Sequence, residues 1–254
     1  MNKTQFFDHD VHVLFRREDL AEIKIDQTVV VVLDVLFATT TIISALANGA
    51  KEVIPVINEE AARELADKFI PGSFVLAGEL YANPIPDFAS PTPVELNQHG
   101  ISGKTLIYST TNGTVALTQS KMARRVYAGA LINARSIVEN IMNNHKQDPI
   151  LFVCSGSMGY PNFEDIYGAG YFIDLFFKQN PKTTKKFSDA AKVAHSVFVS
   201  SEPEQALFSS RVGALMIERE KEGEVEYAAK LSSMSVVPYL SEDGLTVRAR
   251  GAKN

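Results

Sequence analysis

Hydrophobic positions along this chain follow two alternating spacings. Short β-branched runs such as "VVVVL" (29–33), "TLIYS" (105–109) and "ILFVC" (150–154) are separated by alanine-rich stretches whose apolar residues fall three and four apart. The first spacing suits buried strands and the second suits helices with one apolar face, so strand and helix are predicted in turn. Strands are expected near 29–34, 53–57, 74–77, 105–109, 126–128, 150–154 and 193–199. Helices are expected near 40–48, 59–69, 113–122, 133–143, 165–178 and 204–219. The order implies an α/β fold, three-layered α/β/α around a largely parallel or mixed sheet.

A weak internal likeness runs through the pattern. Residues 29–69 and 105–142 each give strand, polar corner, helix, second strand, an asparagine (Asn58 or Asn133) suited to an N-cap, and a second helix. The stretch "PILFVCSGSMGYPNFEDIYGAGYFIDLF" repeats only the first half. No linker rich in Gly, Pro or Ser divides the chain, which reads as one domain over 1–254, with two similar lobes at about 1–145 and 146–254 as the alternative subdivision. In a largely parallel sheet the polar corners lie at the carboxyl ends of strands, where open α/β folds bind ligands. Convergence would make them a single site.

Composition narrows the partner. With 254 residues and 45% hydrophobic content the chain can bury a substantial core. A formal charge of -5, without clustered Lys and Arg, argues against a nucleic-acid binder and for a small-molecule partner. The lone cysteine, Cys154, allows neither an internal disulfide nor a thiolate cluster, which suggests an intracellular chain. "MNKTQFFDHDVHVLF" carries acids and histidines where a secretory signal needs a basic end and an unbroken apolar run. Asp34 and three threonines break the longest apolar stretch short of a membrane span. A cytoplasmic location and no membrane role are expected.

The corners carry the candidate chemistry. In "LDVLFATTT", Asp34 ends a strand and Thr39, Thr40 and Thr41 open the next helix. A carboxylate there suits magnesium, and helix-start amides with hydroxyls suit phosphate oxygens; the alternative is that Asp34 caps a turn and a threonine caps the helix. "YSTTNGT" groups Ser109, Thr110, Thr111, Asn112 and Thr114 around Gly113, a loop able to point several donors at one anion or merely to turn tightly. "VCSGSMGYPNFED" offers Ser155 and Gly156, with Glu164 and Asp165 at a helix start as metal ligands or as caps. "LAGEL" places Glu79 after another strand, as a further ligand, a base orienting water, or an exposed loop acid. "NPIPDFASPTPVEL", containing Asp87 and Glu95, reads as a lid or subunit contact. The charged run "EREKEGEVE" reads as a solvated helix end and loop.

Several chemistries are excluded. A cysteine phosphatase loop at Cys154 needs an arginine at position 160, which is tyrosine, and the Gly-x-Ser-x-Gly spacing of a serine hydrolase is missing. His9, His12, His99, His145 and His195 have no metal-binding spacing, His195 falling in the expected strand at 193–199. No Walker loop or Rossmann glycine fingerprint occurs.

Taken in order, "VVLDVLFATTTIISALANGAKEVIPV", "LAGEL", "GKTLIYSTTNGTVAL", "AGALINA" and "VCSGSMG...FEDIYGAG" resemble successive blocks of the 2-phosphosulfolactate phosphatase family, and "EVEYAAKLSSMSVVPYL" resembles its C-terminal block. The resemblance implies a layered α/β fold, a homodimer, and magnesium-dependent hydrolysis of 2-phosphosulfolactate to sulfolactate and phosphate, on the route to coenzyme M in methanogens. It carries the family's functional acids and hydroxyls onto Asp34, Glu79, the "STTNGT" loop, Glu164 and Asp165. On that basis Asp34, Glu79 and Asp165 are the candidate catalytic residues, and Asp34, Glu79, Glu164 and Asp165 the candidate Mg2+ ligands. Thr39, Thr40, Ser109, Thr110, Thr111, Asn112, Gly113, Ser155 and Gly156 are the candidate contacts to a small anionic metabolite.

Four positions depart from the family pattern. Phe37, Leu80 and Val115 stand where it has arginines, and Met158 stands where it usually has an acid. Arginine grips phosphate and sulfonate through a planar fork of donors. Each charge-assisted hydrogen bond is worth on the order of 1.5–3 kcal/mol, so three uncompensated losses would weaken binding by roughly three to six powers of ten. Two readings follow: a phosphatase whose cleft gains cations from elsewhere, Arg124, Arg135 and Arg211 being candidates, or a non-catalytic or repurposed paralogue with an apolar cleft that binds a less charged metabolite or acts as a structural partner.

Overall fold

The structure is a computed structural model that describes residues 9–250. Residues 1–8, part of the stretch read above for a targeting signal, lie outside the described residues, as do 251–254. The first half of the described chain runs β1 (Val11–Leu14), β2 (Val29–Leu33), α1 (Ala38–Ala47), β3 (Glu52–Val56), α2 (Glu59–Ala66), β4 (Phe74–Leu80), β5 (Asn83–Pro84), α3 (Pro93–Asn97), β6 (Thr105–Ser109), α4 (Gly113–Gln119) and β7 (Arg125–Gly129). It continues through α5 (Ala134–Asn144), β8 (Ile150–Cys154), α6 (Phe163–Gln179), α7 (Asp189–Val199), α8 (Pro203–Ser209), α9 (Arg211–Glu218), α10 (Glu222–Ala228), β9 (Val237–Leu240) and β10 (Val247–Arg250).

All strands join one open, mixed sheet in the order β1-β8-β2-β7-β9-β10-β3-β6-β4-β5. Strand β2 shows why the fold has three layers. Its five residues are all buried, and because successive side chains point to opposite faces, Val29, Val31 and Leu33 pack with Ile137 and Phe172 of α5 and α6. Val30 and Val32 pack instead with Ile42 and Leu117 of α1 and α4. A strand covered on both faces needs the continuous apolar run that the sequence carries.

The sheet holds two parallel runs, β1-β8-β2-β7 and β3-β6-β4. Between them lies the hairpin β9–β10, and three successive antiparallel steps reverse the second run relative to the first. In a flat sheet the reversal would send the corners after β2 and β6 to opposite ends. Strand twist of roughly 20–25° per step acts over the five steps from β2 to β6, turning one run by about 100–125° relative to the other. The two corners meet: a Cβ on Gly113 would lie 2.6 Å from Asp34 Oδ2.

Six of the seven expected strands form close to their expected positions. The seventh, 193–199, is the end of α7. Its β-branched "SVFV" suggested a strand, yet Ser188 Oγ caps the helix by accepting from Ala191 N–H, and Ala191 and Ala194 are buried one turn apart. Helix α6 approaches that face closely, since a Cβ on Gly170 would meet Ala194 O at 2.1 Å. Tertiary packing therefore overrides β propensity here. The helix expected at 204–219 divides at Ser210, whose backbone is extended (φ -74, ψ 160) and whose hydroxyl caps α9 through Gly213 N–H. Asn58 caps α2 by accepting from Ala61 N–H, whereas Asn133 accepts from Ala130 N–H in a 3-10 turn before α5. No helix among the described residues is long and apolar enough to cross a membrane.

Candidate active site

The corner after β2 is built around Asp34, which is 8% exposed. Asp34 Oδ1 accepts from Ala38 N–H at 3.2 Å, and the carboxylate also accepts from Gly113 N–H, so it sits between the starts of α1 and α4. Gly113 is required by that approach, because a Cβ there would lie 2.4 Å from Ala38 Cβ. The threonines form the frame of the corner. Thr39 Oγ1 donates to Asp34 O at 2.9 Å and accepts from Asp34 N–H at 3.0 Å. Thr40 and Thr41 hydroxyls donate to Val35 O and Pro91 O, both at 2.8 Å. All three are fully buried, so Thr39 and Thr40 shape the turn and do not line the cavity.

Two other acids tie the corners together. Asp165, 1% exposed, accepts from Val35 N–H at 2.9 Å and from Gly156 N–H at 3.2 Å, joining the corners after β2 and β8. Glu79 joins the corners after β4 and β6: Oε1 accepts from Thr111 N–H and Oε2 from Ala82 N–H, each at 2.6 Å. Glu164, at the start of α6, is 1% exposed and its Oε1 has no hydrogen-bond partner. Ser155 Oγ is likewise buried without a partner.

A cleft of about 950 Å3, open solvent included, has Asp34, Glu79, Thr110, Thr111 and Asn112 in its wall. Asn112 Oδ1 is buried without a hydrogen-bond partner. Ser109 lines a neighbouring groove on the other side of Glu79, and Gly113, Ser155, Gly156, Glu164 and Asp165 support the main cleft from outside its lining. Of the four departures from the family pattern, Phe37 and Met158 line the cleft, Leu80 faces the neighbouring groove, and Val115 lines neither.

Three cations enter from the far end of the chain: Arg211, Arg219 and Lys221. Arg211 is one of the three arginines singled out from the sequence. Arg124 instead pairs with Asp148, and Arg135 does not line the cleft. The "EREKEGEVE" stretch is thus more than a solvated helix end. It supplies Arg219 and Lys221 to the cleft, and its Glu224 is buried, accepting from Thr92 Oγ1, Val94 N–H and Glu95 N–H at the start of α3. Arg219 donates to Ala82 O and to Asn83 Oδ1 on the β4–β5 turn. Lys221 Nζ donates to Glu95 Oε2 at 2.8 Å in the proline-rich segment, whose Pro91 and Thr92 also line the cleft.

Electrostatics single out Asp34. Burial first, then the negative charges of Glu79 and Glu164, push its carboxyl up to about 7, against the two amides that favour the ionised form. Burial and the neighbouring Asp34 and Glu164 also raise Asp165. Burial raises Glu164, and Arg211 acts in the opposite direction.

Among the described residues no three His, Cys, Asp or Glu side chains form a metal-binding group, so the four acids expected from the sequence do not make one cage. Magnesium does not need such a cage: it is commonly held by one or two carboxylates, with waters and substrate phosphate completing its shell. Asp34 and Glu79, the two carboxylates lining the cleft, fit that mode. Each oxygen that accepts an amide keeps further acceptor capacity. Asp165, whose two oxygens likewise accept backbone amides, differs in lying outside the lining of the cleft.

Comparison with known proteins gives the family. The family model described as 2-phosphosulpholactate phosphatase matches residues 14–243. A protein of Carboxydothermus hydrogenoformans named "Probable 2-phosphosulfolactate phosphatase" is 36% identical over 242 residues, covering 94% of this chain and 97% of its own. Proteins of the same name from Clostridium beijerinckii and Clostridium tetani are 30% and 31% identical, covering 93% and 90% of this chain and 98% and 96% of their own. The chain belongs to the 2-phosphosulfolactate phosphatase family.

Proposed function

We propose that the cleft hydrolyses the phosphoester of a small, multiply anionic hydroxy acid, 2-phosphosulfolactate or a close relative, with Mg2+ as cofactor. The observation that supports this most is the meeting of Arg211, Arg219 and Lys221 with Asp34 in one cleft. The cleft thus carries positive charge despite the loss of three motif arginines, Arg211 with an uncommitted side chain and Arg219 and Lys221 already bonded to protein acceptors, which weakens the case for a non-catalytic paralogue with an apolar pocket.

Asp34 and Glu79 would hold the magnesium ion, which would supply Lewis-acid stabilisation of the charge that develops during phosphoester hydrolysis. The loop of Thr110, Thr111 and Asn112 before α4 gives the phosphoryl group polar side-chain contacts, Asn112 Oδ1 having no partner among the described residues. Arg211, Arg219 and Lys221 neutralise the substrate's acid groups. Asp34 orients the attacking water; direct water attack is preferred because the position two residues on, a second acid in aspartyl-phosphate enzymes, is Leu36. Phe37, Met158, Val212 and Met216 give the cleft an apolar wall.

The test is a panel of phosphoesters assayed with and without magnesium, beside Asp34→Asn. Magnesium-dependent phosphate release that Asp34→Asn abolishes is expected. Turnover that ignores the metal, or survives the substitution, refutes the assignment.

A further inference from the structure

The three cations of the cleft are not equivalent. Arg219 is bound to the β4–β5 turn through Ala82 O and Asn83 Oδ1, and Lys221 is paired with Glu95. The Arg211 side chain makes no hydrogen bond or ion pair with any described residue, its electrostatic neighbour being the buried Glu164, so its five donors are uncommitted. Helix stability does not explain its position either. Arg211 is the first residue of α9, where a positive charge opposes the helix dipole.

A second cleft, of about 1070 Å3 with open solvent included, adjoins the first. Ser157, Met158, Asn162 and Arg211 line both. Arg211 is the one cation in the second cleft among the described residues, and hydroxyls of Ser157, Ser209 and Ser210 line it too. The acid there, Glu164, is 1% exposed, so the accessible charge is that of Arg211. An uncommitted guanidinium shared by the Asp34 cleft and a polar annex suits a ligand with two separate acid groups.

We infer that Arg211 is the specificity-determining residue that selects phosphoesters bearing a second acid group, a carboxylate or sulfonate, and seats that group in the annex while the phosphoryl group lies beside Asp34. The inference rests on the phosphoesterase reading for its catalytic consequence, but its binding consequence can be measured without turnover. A forked pair of charge-assisted hydrogen bonds to the second acid is lost with the guanidinium, and a lysine replaces the fork with a point charge.

The full chain and its Arg211→Gln and Arg211→Lys variants are assayed on two phosphoesters sharing one alcohol core, one with a free acid group and one with that acid as its amide. The ratio of the two kcat/KM values is expected to fall roughly ten- to hundredfold in Arg211→Gln and less in Arg211→Lys. Equal loss on both esters overturns the inference. In a second arm, inorganic phosphate and an unphosphorylated hydroxy acid carrying both carboxylate and sulfonate are titrated calorimetrically into each protein. Arg211→Gln is expected to weaken the diacid more than phosphate. Unchanged diacid binding, or none in the parent chain, overturns the inference. Selective loss of diacid binding in a protein that hydrolyses no ester refutes only the phosphoesterase reading. Arg211 is exposed, and thermal melting verifies that both variants fold.

Discussion

Replacing Asp34 by asparagine should stabilise the metal-free protein, by an amount that grows as pH rises from about 4 to about 7 and is constant above. The Asp34 carboxyl is pushed up from an ordinary value of 3.8 to about 7. Between those limits the unfolded chain has released its proton while the folded chain still holds one. Stability therefore falls as pH rises through that window and levels off above about 7. About three pH units at 1.36 kcal/mol each give a penalty of about 4 kcal/mol for the ionised native state. Protonated aspartate and asparagine are close to isosteric, so Asp34→Asn should match the parent within about 1 kcal/mol near pH 4. Near pH 8 it should be more stable by up to about 4 kcal/mol, roughly 8–16 °C in melting temperature for a chain of this size. The assay is urea and thermal unfolding in chelator at both pH values. Added magnesium should recover part of the difference in the parent at pH 8, since a ligand of the folded state stabilises it by mass action. A stability difference that is the same at both pH values would refute the reasoning that burial and neighbouring negative charge raise this carboxyl.

Three further substitutions probe the supports. Gly113→Ala puts a Cβ 2.4 Å from Ala38 Cβ and 2.6 Å from Asp34 Oδ2, and should cost about 1–3 kcal/mol in denaturant unfolding. Adding Ala38→Gly should relieve part of that cost; strict additivity of the pair would contradict the contact. Asp165→Ala leaves the buried amides of Val35 and Gly156 without their acceptor and should cost roughly 2–6 kcal/mol in urea unfolding, with a loss under 1 kcal/mol counting against its joining role. Glu79→Gln keeps an acceptor for only one of the two amides that now bond the carboxylate. It should raise the magnesium concentration for half-maximal turnover at least several-fold, and an unaltered metal titration would remove Glu79 from the proposed ligands.

Much of this protein could be read along the chain because local pattern and final burial agree. Strand β2 needs apolar residues on both faces, and four valines and a leucine declare it; β6 and β8 are buried throughout and equally visible. Asp34 was visible as one acid after an apolar run. The threonines following it were visible too, but their role was not, because a hydroxyl can cap its own backbone or face a ligand and only the hydrogen-bond partners decide.

What the linear pattern could not carry was the meeting of distant pieces. Strands β9 and β10 join two parallel runs through single paired residues, Tyr127 with Tyr239 and Val53 with Val247, and no spacing rule reports such sparse, long-range pairing. Arg219 and Lys221 looked like part of a solvated charged run because alternating charges give no sign of which side faces a cleft formed largely by residues more than a hundred positions earlier. The sequence by itself determined an α/β chain with an acid at a strand end and a family signature. Tertiary structure alone decided that sheet twist would bring reversed strands to one corner, and that the carboxyl there would be opposed by cations arriving from the last helices. The physical reason is one of range: hydrophobic period acts over a few residues, whereas charge and burial act through space.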